Sequence, residues 1–557
     1  MHKPWLDSYP EGIPHTIDTG DYHSLNDVFN EAVSSFGAGA AFSNMGKTLS
    51  YTEVGAQVDA FCAYLQQRTD LQKGDRIAIM MPNLLQYPIA VFGALRAGLV
   101  VVNTNPLYTD RELEHQLKDS GARAIVIVEA FAHTLSDVIA ETKVEHVITT
   151  RFGDMLGFPK GMIVNFVIRH VRKMVKPFNL PGAVAFKQVL DEGAKLGGSE
   201  ARDVTLDDLA FLQYTGGTTG VAKGAMLSHR NMVSNMVQAL NWIQTAKPEP
   251  GRELIVTALP LYHIFALTAN CLTFMKLGAH NLLITNPRDI PGFVKELSKY
   301  PFTTITGVNT LFNALLNNDD FRRLDFSPLK MVLGGGMAVQ KAVADEWQAV
   351  TGSTLVEAYG LTETSPAACI NPLNIDGFND SIGLPIPSTE CAILDEEGNH
   401  LGVDEPGELC VRGPQVMVGY WQREEATAKT IDAEGWLHTG DVAQMNAQGF
   451  FKIVDRLKDM ILVSGFNVYP NEIEGVIAEM PSVLEVGAIG IPDEHSGEVV
   501  KVVIVRKDSA LTEADILAHC KENLTGYKRP KVIQFVQELP KTNVGKILRR
   551  ELRDLKA

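Results

Sequence analysis

Short runs of aliphatic and β-branched residues alternate with longer stretches of helical periodicity through most of this chain. Arg76–Met81 (RIAIMM), Val100–Asn103, Ala124–Val128 (AIVIV) and His146–Thr149 lack the polar alternation of half-exposed strands, so they predict strands buried on both faces. Between them, Leu85–Ala97 and Arg111–Ser120 predict helices. The rhythm returns at Leu254–Ala258, Leu282–Thr285 and Met331–Leu333, which implies layered α/β sheets with substantially parallel strands. The texture then changes. Glu390–Asp395, Gly407–Arg412 and Phe450–Val454 are short strands divided by Gly, Pro and Asp turns, the pattern of a β-rich subdomain. From about Asp459 onward a compact α+β pattern predicts a small C-terminal domain. The expected division is a large N-terminal α/β domain over residues 1–455, a hinge over 456–461 and a small mobile α+β domain over 462–557.

One segment departs from its surroundings. Met155–Phe178 (MLGFPKGMIVNFVIRHVRKMVKPF) is apolar and carries Lys160, Arg169, Arg172, Lys173 and Lys176 with no acidic residue. An element that docks peripherally on anionic lipid and a core-packing helix with a solvated basic face both fit this composition.

Composition narrows the class. With 557 residues, 45% of them hydrophobic and 21% charged, the chain can bury large cores and reads as globular. A formal net charge of −16 argues against nucleic acid as a partner. The six cysteines form no CxxC pair and no Cys/His cluster, as expected of reduced, buried thiols in a cytoplasmic protein. No run of apolar residues is long enough to span a bilayer, and the polar start MHKPWLDSYPEG lacks the core of a signal peptide. The expected location is the cytoplasm, with the inner face of the cell membrane as an alternative, and a homodimer is left open.

The chemistry is concentrated in Gln213–Gly224 (QYTGGTTGVAKG), directly after the apolar Leu209–Leu212. Gly216, Gly217 and Gly220 let backbone N–H groups approach a phosphate, Thr215, Thr218 and Thr219 add hydroxyls, and Lys223 adds charge. It is not a GxxxxGK[ST] loop, and no GxGxxG follows a strand, so a dinucleotide-binding fold loses its best support. An ordinary flexible loop rarely gathers three hydroxyls and a Lys among glycines after a strand, so a phosphate cradle is the expectation. Tyr359–Pro366 (YGLTETSP), Gly435–Asp441 (GWLHTGD), Asp455–Lys458 (DRLK), Val463–Glu474 (VSGFNVYPNEIE) and Pro540–Arg550 (PKTNVGKILRR) follow downstream.

Tyr214–Gly224 resembles the phosphate-binding loop of the adenylate-forming superfamily, which includes acyl-CoA synthetases, luciferases and peptide-synthetase adenylation domains, and the later motifs keep that family's order. The resemblance implies ATP, Mg²⁺ and coenzyme A. Lys223 and the loop amides would hold the triphosphate, Thr215 and Glu363 would hold Mg²⁺, and Tyr359 would lie against adenine, flanked by Gly360 and Thr362. The Gly334–Gly336 triplet, alone an ordinary strand-end turn, would let the backbone approach the adenine face. Asp441 and Arg456 would hold the ribose, Lys458 would be the hinge residue, and Gly465 would let the pantetheine arm of CoA pass. Lys546 would reach back over the active site as a catalytic charge. His263, in Pro260–Leu267 (PLYHIFAL), would stand at the acyl site, with a structural core His as the alternative. Leu267 stands where some long-chain relatives carry a gating Trp, so an aromatic gate is not implied. Val308–Leu311 and the surroundings of Met337 would line the acyl pocket.

Gly435–Glu474, Leu524–Leu552 and Pro82–Tyr108 are similar to bacterial long-chain fatty acid CoA ligases, which implies a fatty acid substrate and an acyl-adenylate intermediate. Medium-chain or aryl acids stay open, as do an acyl-AMP ligase serving a carrier protein and a lipid-binding protein without turnover.

Overall fold

The computed structural model describes residues 3–199, 202–215, 222–493, 495–542 and 545–555. Two sheets built around parallel strands organise the large N-terminal part. In the first, the strands Leu209–Thr215, Val100–Thr104, Arg76–Met80, Ala124–Val128, His146–Thr150 and Val184–Ala185 lie side by side in parallel. Lys223–Ser228 folds back on Leu209–Thr215 as an antiparallel hairpin, and Gly419–Tyr420 pairs with its outer edge. The second sheet holds parallel neighbours Val356–Gly360, Met331–Gly335, Thr304–Gly307, Leu254–Thr257, His280–Leu283 and Ala40–Asn44, closed at both ends by antiparallel strands.

Burial explains the composition of these strands. Every residue of Ala124–Val128 is buried, as an all-apolar strand covered on both faces must be. One large core draws on residues of both sheets, such as Ala41, Ile79, Phe211 and Leu283, and on the intervening helices through Phe29, Phe61 and Phe92. Helix ends follow local chemistry. Asp110–Ser120 starts at a capping box in which Thr109 and Glu112 bond reciprocally, and stops at Gly121, whose φ of +61° suits a left-handed C-cap.

Glu390–Leu394, Gly407–Arg412, Leu437–Met445 and Phe451–Arg456 form a four-stranded antiparallel sheet, the expected β-rich subdomain. Beyond it, a separate core gathers Ile461, Val468, Ile473, Val486, Val502 and Ile516. It lies on a sheet of Phe466–Val468, Ile461–Val463, Gly497–Arg506 and Val483–Asp493, with Val532–Val536 added in parallel. A large α/β domain with a small α+β domain is therefore what the chain forms.

The 155–178 segment packs only part of its apolar surface, with Met155, Val164, Ile168 and Val175 against the main core. It breaks into an α-helix, Lys160–Phe166, and a π-helical turn, Val167–Val171. Phe158, Met162, Phe166 and Val171 are 87%, 61%, 59% and 64% exposed, and Ile163 and Met174 are exposed beside them. Among the described residues, no helix is long and apolar enough to cross a membrane. All six cysteines are free and buried.

Candidate active site

The hairpin of Leu209–Thr215 and Lys223–Ser228 carries the glycine-rich loop at its tip. Residues 216–221, and with them Gly216, Gly217, Thr218, Thr219 and Gly220, lie outside the described residues. The loop's two ends, Thr215 and Lys223, are direct cross-strand partners. Both ends are tied to the helix Asp110–Ser120. The Tyr214 hydroxyl donates to Asp119 at 2.7 Å, and His115 Nε2 lies 3.1 Å from the Ala222 carbonyl, to which it donates. One helix thus fixes where the loop leaves the sheet and where it returns.

Tyr420 links the loop to the second motif. Its hydroxyl donates to Glu363 Oε1 at 2.6 Å, while the Lys223 ammonium stands 4.8 Å from its ring centre, within cation–π range. Burial and the neighbouring Glu363 charge raise the Tyr420 pKa, so the phenol stays a donor at neutral pH. Glu363 sits in the short turn Thr362–Thr364, which packs on both strands of the hairpin. A carboxylate that accepts one phenol bond keeps further lone pairs. Together with the Thr215 hydroxyl it offers the hard oxygen donors that Mg²⁺ prefers, so the residues fit the ion.

A second cluster forms where the large α/β part meets the antiparallel sheet. Asp441 and Arg456 are direct partners across the strands Leu437–Met445 and Phe451–Arg456, and Arg456 Nε lies 3.0 Å from Asp441 Oδ1. The Tyr359 hydroxyl donates to Asp441 Oδ2 at 2.5 Å. Burial first, then the Asp441 charge, raises the Tyr359 pKa well above its ordinary value. Gly360 is required by space, since a Cβ there would come 1.9 Å from the Pro366 carbonyl oxygen. Gly334 and Gly335 still belong to the strand Met331–Gly335 and pair with Glu357 and Ala358; Gly336 turns away with φ +77°.

Lys546 arrives from the C-terminal domain at this turn. A Cβ on Gly336 would lie 3.3 Å from Lys546 Cε and 3.7 Å from Nζ. The side chain keeps partial solvent contact but is densely surrounded by protein. That crowding, with help from Arg456, lowers its pKa to about 8 against the opposing pull of Asp441 and Glu363. His263 is pushed to about 3 by burial and then by the Lys546 charge, so it is neutral at pH 7. Its Nδ1 accepts from the Phe265 N–H at 3.3 Å, which leaves the proton on Nε2.

Residues 29–421 match the family described as AMP-binding enzyme, and residues 472–546 match the AMP-binding enzyme C-terminal domain. This chain belongs to the AMP-binding enzyme family. Among curated members, it is 58% identical over 554 residues to a long-chain-fatty-acid–CoA ligase of Escherichia coli O157:H7, covering 100% of this chain and 98% of that protein. A long-chain-fatty-acid–CoA ligase of Yersinia pestis is 59% identical with the same coverage. Among solved structures, the anthranilate CoA ligase AuaEII with anthranoyl-AMP superposes at a TM-score of 0.85 over 97% of this chain and 98% of its own. At 23% identity that likeness speaks for the fold of this AMP-binding enzyme.

Of the residues expected from sequence, Thr215, Lys223, Tyr359, Glu363, Asp441, Arg456, Lys546, Gly336 and His263 are held in these clusters or beside them. Lys458 lies in the turn after Arg456, its pKa lowered by burial and then by the Arg456 charge. Gly465 makes no contact with either cluster through the space over its Cα. It tips the hairpin of Ile461–Val463 and Phe466–Val468 with φ +83°, and no described atom lies within 4 Å of where its Cβ would stand. Leu267 and Val308 are buried in the main core. Tyr420 was not foreseen. An aromatic pair after a glycine, Gly419-Tyr420-Trp421, was the available signal, and the Trp421 indole donates to the Asp119 carbonyl at 3.1 Å.

Proposed function

We propose that the chain converts a long-chain fatty acid, ATP and CoA to acyl-CoA, AMP and pyrophosphate through an acyl-adenylate. The observation that carries the substrate class is identity near 58% over the whole chain with a long-chain-fatty-acid–CoA ligase, since pocket side chains rarely change wholesale at that distance. The chemistry is supported by the convergence of Lys223, Glu363, Asp441, Arg456 and Lys546 on one region.

In this reading the fatty acid carboxylate attacks the α-phosphorus of ATP and pyrophosphate leaves. No side chain becomes covalently modified, so positioning and charge compensation do the work. Lys223 and the 216–221 loop hold the triphosphate. Thr215 and Glu363 hold Mg²⁺, which when bound neutralises phosphate charge, and Tyr420 orients the Glu363 carboxylate for it. Asp441 and Arg456 hold the ribose hydroxyls, Tyr359 lies against adenine, and Gly334–Gly336 allow the base a close approach. Lys546 compensates charge growing at the reacting oxygens. Neutral His263 serves as a wall and hydrogen-bond donor at the acyl carboxylate rather than as a cation.

The CoA thiol then attacks the acyl carbonyl and AMP leaves. Residues 1–455 and 462–557 act as two bodies joined at 456–461, with Lys458 in the hinge. Rotation there removes Lys546 and brings Gly465 to the pantetheine arm. The exposed apolar residues of 158–174 and the basic Lys160, Arg169, Arg172 and Lys173 support peripheral contact with an anionic bilayer, where the substrate partitions.

A pyrophosphate-release assay from butyric to stearic acid, with acyl-CoA followed separately, tests the reading. Release that rises with chain length and yields acyl-CoA is expected. No release with any acid would refute it.

A further inference from the structure

In this arrangement two described side chains of the large domain donate hydrogen bonds into the body of the C-terminal domain, and both stand on one helix, Asn309–Leu316. The Thr310 hydroxyl donates to the Gly545 carbonyl at 3.0 Å, and Asn313 Nδ2 donates to the Leu484 carbonyl at 2.8 Å. Spacing of three residues puts both on one face. The helix is itself held firmly: Asn309 Nδ2 donates to Gln340 Oε1 at 3.1 Å, and the Gln340 N–H donates to Asn309 Oδ1 at 3.0 Å. Gly545 directly precedes Lys546, and the space over Gly545 is taken by Thr310 and Val308, with Thr310 Oγ1 only 2.8 Å from where a Cβ would stand.

We propose that Thr310 and Asn313 are positioning residues that latch the C-terminal domain in the adenylate-forming arrangement. The inference rests on the function proposed above. Thr310 sets the chain next to Lys546 and so aims its ammonium past Gly336. Asn313 fixes the start of the long strand Val483–Asp493, at a distance in sequence from the first bond. The two bonds act on different parts of the domain, so together they restrain rotation as well as distance. Both acceptors are main-chain carbonyls, which every rotation of the domain must release and return to water. Neutral bonds of this kind hold a state without trapping it, since each contributes only modestly once water is the alternative. A two-step ligase needs such a latch, firm enough for the first step and weak enough for the second.

The test measures the two half-reactions separately for Thr310→Val, Asn313→Ala and the double variant. Adenylation is read as pyrophosphate release at saturating fatty acid, and thioester formation is started from supplied acyl-adenylate and CoA. Each single variant is expected to slow adenylation about fivefold and the double about twentyfold or more, from the usual net strength of one hydrogen bond. Thioester formation should be unchanged or faster, and Thr310→Ser should restore adenylation. Thermal melts of the variants check that the fold is retained. Equal losses in both half-reactions, a change only in the KM for fatty acid, or no change in either rate would each overturn the latch. If wild-type protein itself releases no pyrophosphate with any acid, the proposed function fails together with it.

Discussion

Lys546 allows the sharpest test of how charge is used here. Its pKa of about 8, against 10.5 for a free lysine, means that holding the charged ammonium in this arrangement costs about 3 kcal/mol relative to solvent, at about 1.4 kcal/mol per unit. The sign follows from the lowered value. The arrangement that holds Lys546 beside Gly336 is disfavoured by that amount below pH 8, and the cost fades as pH rises and the proton leaves. The charge needed for adenylation disappears over the same range, from about 90% protonated at pH 7 to about 10% at pH 9. The kcat/KM for ATP in adenylation, which reports the free enzyme, should therefore fall roughly tenfold between pH 7 and pH 9. Thioester formation from supplied acyl-adenylate should show no such limb, since the proposed reading gives Lys546 no role in it. In Lys546→Ala, adenylation should drop by about a hundred- to a thousandfold, the usual cost of removing one charge-stabilising donor, and the residual rate should lose the alkaline limb. A limb that persists in Lys546→Ala, or that both half-reactions share, would refute the assignment.

Tyr420→Phe removes the bond that orients Glu363 and keeps the ring over Lys223, so a Mg²⁺ titration of pyrophosphate release should require about tenfold more metal; an unchanged titration would free Tyr420 of this role. Glu357 is buried on the strand Val356–Gly360, and burial raises its pKa to about 8, so the folded state keeps a proton that the unfolded chain releases near pH 4.5. Wild-type stability should accordingly fall as pH rises from about 5 to 8, while Glu357→Gln, which still accepts from the Val339 N–H, should flatten that slope; calorimetric melts at several pH values give the comparison, and parallel slopes would count against it. Liposome co-sedimentation should weaken severalfold when Arg169, Arg172 and Lys173 are all replaced by Gln, and weaken again with added salt; binding unchanged by either would remove the lipid contact.

Much of the architecture could be read from hydrophobic runs. Ala124–Val128 is found at the expected residues because a strand covered on both faces leaves no room for polar alternation. Where polarity and pairing diverge, the ends move. Met331–Leu333 is the apolar part of a strand that continues through Gly334 and Gly335, because their backbones still pair with Glu357 and Ala358. Leu282–Thr285 likewise starts earlier, at His280, and ends at Leu283, since backbone pairing with Leu254–Thr257 runs from Leu254↔His280 to Thr257↔Leu283. Motif residues such as Glu363, Asp441 and Lys546 could be singled out because they stand in short, ordered strings, and the fold brings these strings into one region. Tyr420 and Thr310 were not, since their partners lie 57 and 235 residues away and a lone Tyr or Thr carries no mark of a distant contact. The 155–178 segment shows the same limit differently. Its apolar and basic composition was plain, but whether neighbours cover it is a property of the assembled sheet.

The turn after Arg456 is wound tightly onto that residue: Asp459 and Met460 both donate their N–H groups to the Arg456 carbonyl, and the Leu457 N–H returns to Gly440. If residues 462–557 swing about this turn, as proposed above, the fulcrum stands beside Asp441, the cross-strand partner of Arg456. Displacement grows with distance from a fulcrum, so in the proposed rotation the ribose end of a nucleotide would stay nearly still while the parts of 462–557 farthest from the turn travelled through the widest arcs. On that proposal the substrate would remain seated while the tools around it are exchanged.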